Sequence, residues 1–287
     1  MIKKITLQDI GGGINLIDIG ASGNLDPKWR PIESMTNLVG FDPNSEECER
    51  LNKLPHDYNS ATYLPYAIAG EDGEAILYKT KSIYCYSLLK PNSKWLKRFS
   101  FSDLFEVIAE EKIRTHKLCE VPEIKDLDVD VMKSDTQGLE LPILSNAGDL
   151  LDRTFYVETE TGFTENYIGE TTYSQIDEFM RSRGFLLFDI NVEHRISRKN
   201  VFGKYPSGKQ QILWCEAVWL KDYIELERQN RLKNITREKV LKSLMLCSLE
   251  SCFDFGYELA EFFYKKSLIT KDELNALEDI ESWIITN

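Results

Sequence analysis

The sequence has no CxxC pair: its six cysteines, at 48, 85, 119, 215, 247 and 252, are scattered. With neither zinc-ligand spacing nor a disulfide framework, the pattern implies reduced thiols and a cytoplasmic protein. No stretch approaches the roughly 18 apolar residues of a membrane span, so none is expected. The opening residues 1–9 carry two lysines but lack the apolar run of a signal peptide. Basic residues are also few, 35 against 47 acidic, for a formal charge of -12. A chain this acidic binds nucleic acid or an anionic membrane only through a strong local basic patch, and no nucleic-acid partner is expected. There is no internal repeat, no low-complexity segment and no complete G-x-G-x-x-G turn.

What is present suffices for a sizeable core. The 287 residues are 42% hydrophobic, enough for one large domain or one domain with an appendage. The organising stretch is 14–42. Ile14, Leu16, Ile17 and Ile19 form an apolar run that halts at Gly20 and Gly23, as a buried parallel strand does when it opens into a turn. Asp18 inside that run requires a cationic or hydrogen-bonding partner. Leu38, Val39 and Phe41 make a second strand that ends on Asp42. Asp42 follows Asp18 by 24 residues, near the roughly 20-residue spacing of an acid that binds ribose hydroxyls. Such glycine turns also end ordinary strands, so the pattern alone decides little.

Strand and helix then alternate. Asp26-Pro27 reads as a helix start, with Pro31 keeping that helix short. Asn44 with Glu47 opens another helix. Strands are expected over 62–68 and 75–79, with an aromatic loop or lid over 81–103, while 104–118 reads as either strands or helix. Further strands fall at 129–135, 155–158, 185–190 and 212–220. Thr172 with Gln175 and Thr270 with Glu273 are capping boxes. The expected fold is α/β, a Rossmann-like, doubly wound, mostly parallel seven-stranded sheet with a β-hairpin insertion. Residues 1–222 form its domain. Residues 223–287 read as a C-terminal helical appendage, whose apolar positions imply a monomer or a homodimer through these helices.

Ligands of open parallel sheets bind at the carboxyl ends of the strands. Asp18, Asp42, Asp135 and Glu158 stand in or near that rim. Asp135 can deprotonate a hydroxyl or cap the helix that begins near Gly138. Glu158, Glu160, Glu165 and Glu170 crowd one loop, but no histidine falls within it and no metal is expected. The stretch 191–209 is basic, with Arg195, Arg198, Lys199, Lys204 and Lys209 against Glu193. It reads as a solvated loop or as an attractor of anionic groups. His194 is a possible base beside it.

These residues carry a resemblance. Leu16-Ile-Asp-Ile-Gly-Ala-Ser-Gly23 and Val39-Gly-Phe-Asp-Pro43 are similar to the cofactor half of class I S-adenosylmethionine-dependent methyltransferases. Residues 67–74, 132–140 and 173–185 extend the likeness to the FkbM family over about 14–220, with Lys133, Asp135, Gly138 and Glu140 as its most specific element. The family commonly has glutamate where Asp42 stands. Its G-A-N-x-G turn reads Gly20-Ala-Ser-Gly-Asn24 here, one position shifted.

The resemblance implies an O-methyltransferase that uses S-adenosyl-L-methionine. Its acceptor would be a small-molecule or glycan hydroxyl on a sugar or secondary metabolite. By resemblance, Asp18, Gly20, Ala21, Ser22, Asp42, Pro43, Ala67, Ile68 and Asp135 line the cofactor. Asp135 and Glu158 are the catalytic candidates, and Glu160, His194 and Arg195 are candidates for acceptor contact. Two rivals stand beside this reading: a nicotinamide-dependent oxidoreductase, and a non-catalytic sugar- or partner-binding module on the same fold.

Overall fold

The computed structural model describes residues 5–276 other than 24, 193, 202, 206 and 207. The expectations that touch Asn24, Glu193 and positions beyond 276 lie outside the described residues. The strands are β1 (Ile14–Ile19), β2 (Thr36–Phe41), β3 (Ser60–Leu64), β4 (Ala67–Ala69), β5 (Gly73–Thr80), β6 (Val107–Lys117), β7 (Val131–Ser134), β8 (Tyr156–Gly162), β9 (Phe185–Asn191), β10 (Arg195–Ile196), β11 (Gln211–Ile212) and β12 (Trp214–Lys221). The α-helices are α1 (Ser45–Lys53), α2 (Ser93–Leu96), α3 (Glu140–Ser145), α4 (Asp149–Arg153), α5 (Tyr173–Ser182), α6 (Tyr223–Arg228), α7 (Arg237–Leu249), α8 (Phe253–Lys265) and α9 (Lys271–Ala276).

Seven strands form one sheet in the order β3-β2-β1-β7-β8-β12-β9. Only β12 runs against its neighbours, β8 and β9. This is the mixed α/β, Rossmann-like sheet expected from the alternation of elements. β1 shows why its strand is apolar almost throughout: Ile14 and Leu16 enter the core on one face, Ile17 and Ile19 the core on the other.

Local signals hold where side chains close the backbone. Asn44 accepts from the amides of Glu46 and Glu47 to start α1. The Thr172–Gln175 box starts α5, and Thr270 with Glu273 closes the same arrangement at α9. Asp26 caps a nine-residue 3-10 helix that contains Pro31.

Two strand assignments differ from expectation. The run 62–68 is two strands in two sheets, because Pro65 supplies no amide and breaks the ladder. β3 joins the large sheet, while β4 joins a three-stranded sheet of order β4-β6-β5. The ambiguous 104–118 is mostly β6, an eleven-residue strand antiparallel to β5. Between β5 and β6 the aromatic residues pack on one another, with Trp95 on Phe99 and Phe101 on Phe105.

The helices after Asp222 bury their apolar faces within the chain. Val240, Leu241, Leu244, Leu259 and Phe263 belong to the same core cluster as Ile14, Leu16 and Trp29. Asp130, fully buried, ties them to the sheet: Lys239 and Lys242 both engage its carboxylate, which also accepts the Asn15 amide at 2.8 Å.

Candidate active site

The first turn of the site is built by exclusion of side chains. Gly20 has φ +87°, and a Cβ there would lie 2.0 Å from the Asp135 carbonyl oxygen. Glycine therefore lets the turn after β1 press against the turn after β7. The amides of Gly20 and Ala21 both donate to the Phe41 carbonyl, at 2.8 and 2.9 Å, which draws the end of β2 to the same point. Three strand ends thus converge on the carboxyl rim.

A cavity of about 690 Å³ opens there. Gly20, Ser22, Asp42, Pro43, Ala67, Ile68 and Asp135 line it. Asp42 accepts the Asn44 amide at 2.7 Å. Burial, with the charges of Glu47 and Asp18, raises its carboxyl above the usual range. The opposite wall comes from β5, β6 and the segment between them, with Leu77, Ile113, Tyr84 and Tyr86. The sequence signal for that wall was the aromatic run, whose plainer reading is packing over a sheet edge.

Of the expected cofactor and catalytic residues, Asp18, Ala21 and Glu158 do not line the cavity, and neither do the acceptor candidates Glu160, His194 and Arg195. Asp18 lies in register with Lys133 of β7, and its carboxylate pairs with the Lys133 ammonium at 3.2 Å. That is the partner its burial requires. Ala21 is buried beneath the turn. Glu158 is the larger correction. β8 continues to Gly162, so Glu158 stands inside the sheet rather than at its end. There it contacts the Lys28 ammonium at 2.7 Å and the Tyr156 hydroxyl at 2.9 Å.

Two residues farther along β8 stands Glu160. Gln137 joins it to Asp135: the side-chain amide donates to Asp135 Oδ1 at 2.8 Å and to Glu160 Oε1 at 2.9 Å. Gln137 has φ 57°, which is uncommon for a side-chain-bearing residue. Its surroundings fix it in place. Ser87 Oγ donates to its carbonyl at 2.8 Å, and the Tyr167 hydroxyl donates to its side-chain oxygen at 2.9 Å. Glu140 shapes the same turn, with one carboxylate oxygen accepting the amides of Thr136 and Gly138. Burial raises the Asp135 carboxyl above its usual value. Burial, then the charge of Asp135, raises Glu160 well above its own. Sequence reasoning missed Gln137, because a backbone angle leaves no composition signal.

The crowded acids after β8 separate. Glu170 accepts the amides of Asn166 and Tyr167. Histidine reaches Glu160 from another loop: His194 stacks on Trp214 and lies 3.9 Å from Glu216. Arg195 is exposed and donates to the Gln210 carbonyl.

A doubly wound sheet with a glycine turn, a strand-end acid and a rim cavity defines an enzyme of the nucleotide-cofactor type. A family model described as the methyltransferase FkbM domain matches residues 28–187, more than half of the chain. The chain belongs to this family and is an S-adenosylmethionine-dependent methyltransferase, which displaces the nicotinamide reading. No curated protein matches it. Among solved structures it is similar to a TehB-like methyltransferase from Corynebacterium glutamicum, at 11% identity over 73% of this chain and 81% of that one, TM-score 0.36. It is also similar to magnesium protoporphyrin IX methyltransferase from Synechocystis PCC 6803, at 8% over 73% and 71%, TM-score 0.36. A putative tRNA (m1A22) methyltransferase from Streptococcus pneumoniae aligns at 10% over 95% and 91%, TM-score 0.37.

The cavity fits the S-adenosylmethionine cofactor. Its glycine cradle admits no Cβ at position 20, Ser22 and Asp42 supply polar groups, and Ala67, Ile68 and Leu139 supply an apolar wall. Its size lies within the roughly 300–1,000 Å³ of small-molecule sites.

Proposed function

We propose that this methyltransferase acts on a hydroxyl oxygen of a sugar, glycan or secondary-metabolite acceptor. When bound, S-adenosylmethionine supplies a methyl group that is already electrophilic. Asp42 holds the ribose hydroxyls, Gly20 and Ser22 border the methionine end, and Ala67 and Ile68 flank the adenine. The chain's remaining task is to align the acceptor and take its proton.

Asp135 carries this reading. Asp135 lines the cofactor cavity, and the Gln137 side-chain amide donates to its Oδ1 at 2.8 Å. Oδ2 takes the hydroxyl proton. Burial raises the basicity of this carboxylate, which suits a group that must accept a proton near neutral pH. An alcohol needs such a base because it gives up its proton as it is methylated.

Residues 1–222 form the catalytic domain and 223–287 its appendage. Because the helices of that appendage cover their own apolar faces against the sheet, the working unit is a monomer. All six cysteines are free thiols, in keeping with a reducing, cytoplasmic setting. No helix of the described residues is long and apolar enough to cross a membrane.

The test is a mass-shift screen of hydroxylated sugars, glycans and polyketide-type alcohols with isotopically labelled S-adenosylmethionine. Label on a hydroxyl oxygen supports the proposal. Label confined to nitrogen or carbon acceptors overturns it.

A further inference from the structure

β12 runs antiparallel beside β8, and Glu216 is the direct cross-strand partner of Glu160. Two carboxylates in that relation share one face of the sheet and repel each other. Among the described residues no lysine or arginine forms an ion pair with either. Lys133 pairs with Asp18, Lys28 with Glu158 and Glu250, and Arg195 donates to the Gln210 carbonyl. Instead, the segment between β9 and β10 brings His194 to this pair. One ligand atom from each of Glu160, His194 and Glu216 lies within 4.8 Å of the other two.

We propose that Glu160, His194 and Glu216 bind a divalent transition-metal ion. A cation between the two carboxylates turns an opposed like-charge pair into a ligand set. Distances of this size close to bonding range by modest side-chain rotation, since metal–oxygen and metal–nitrogen bonds are about 2.0–2.2 Å. Each ligand is already held from behind. Gln137 donates to Glu160 Oε1 at 2.9 Å, Asn191 donates to Glu216 Oε2 at 3.1 Å, and the His194 ring stacks on Trp214 at 5.1 Å. Such outer contacts orient metal ligands. Two carboxylates with one imidazole suit manganese, iron or zinc better than calcium or magnesium, which favour all-oxygen shells.

Three protein ligands leave at least one position open. The Gln137 amide connects Glu160 to Asp135 at the cavity. An oxygen of the acceptor that completes the ion's shell is thereby held near the carboxylate that takes the proton. This last step rests on the hydroxyl-acceptor reading; the ion site itself does not.

The test is a titration of the chelator-stripped full chain with manganese chloride, with free Mn2+ followed by electron paramagnetic resonance. Zinc is then added as competitor. One equivalent of Mn2+ should bind and be displaced by zinc. His194→Ala and Glu216→Gln should each weaken Mn2+ binding at least about tenfold. Their melting temperatures and S-adenosylhomocysteine affinity should stay near wild type, which shows that the variants are folded. No binding of either ion by the wild-type chain, or Mn2+ binding by both folded variants at wild-type strength, overturns the site. Because the titration uses neither cofactor nor acceptor, its outcome is separate from that of the labelling screen.

Discussion

The Lys28 ammonium lies 2.9 Å from the Glu250 carboxylate, and the same group lies 2.7 Å from Glu158. Residues from the first helical turn, the fifth strand of the large sheet and the end of α7 are tied at one point. Burial alone would lower the Lys28 pKa, but the charges of Glu158 and Glu250 outweigh it and leave the value raised. One ammonium thus engages both carboxylates.

Glu158→Gln should therefore act on stability. The Lys28 side chain keeps 31% of its surface exposed, so the loss is smaller than for a fully buried pair, at about 1 to 3 kcal/mol. Denaturant unfolding should show that loss with kcat unchanged. A kcat collapse in a stable variant would return Glu158 to the catalytic group.

Asp42 should govern the cofactor. Asp42→Ala removes a charged acceptor and should weaken S-adenosylhomocysteine binding by about 1.5 to 3 kcal/mol. The fold should survive, because the acid stands at a strand end. Calorimetry that finds wild-type affinity in the folded variant would remove Asp42 from the ribose position.

Asp135→Asn keeps shape and loses charge. General-base help is worth about 10² to 10⁴ in rate, and kcat should fall by that much. S-adenosylhomocysteine affinity should change by less than about tenfold, since the proton is taken only as the transition state forms. A merely capping carboxylate would give near-normal turnover and a lower melting temperature.

Glu140 should make stability depend on pH in an unusual direction. It is 1% exposed, and burial pushes its carboxyl up to about 7 against the hydrogen bonds it accepts. In the unfolded chain a glutamate titrates near 4.3. Between those values the folded protein holds the extra proton, so this group's contribution is most favourable below the unfolded pKa and falls as pH rises to about 7. Glu140→Gln mimics the protonated form. The stability of wild type minus variant should therefore fall by roughly 1 to 3 kcal/mol between pH 4.5 and 7.5. A flat difference across that range would show that Glu140 stays ionised.

What the sequence disclosed follows the range of the interactions involved. β1, β2 and the capping boxes are local, and their apolar runs and polar caps are written within a few adjacent residues. The site's membership depends on strand length. β8 runs to Gly162, four residues past the expected end at 158, so Glu158 falls inside the strand, and no nearby turn residue marks the difference. His194 was visible as a lone histidine in a basic stretch. Its meeting with Glu160 is produced by the antiparallel register of β12, which a pattern of apolar positions does not specify. Pro65 did mark the break between β3 and β4, but the apolar residues on both sides concealed it.

The buried carboxylate at Asp130 also sets a timetable. Its partner Lys239 comes 109 residues later in the chain. At about 5 to 20 residues per second, synthesis takes roughly 5 to 20 s to deliver that ammonium. Until then the central strands of the nascent sheet carry a charge that has no counterion in the core. The buried ion pair at the edge of β7 thus closes only once α7 has been made.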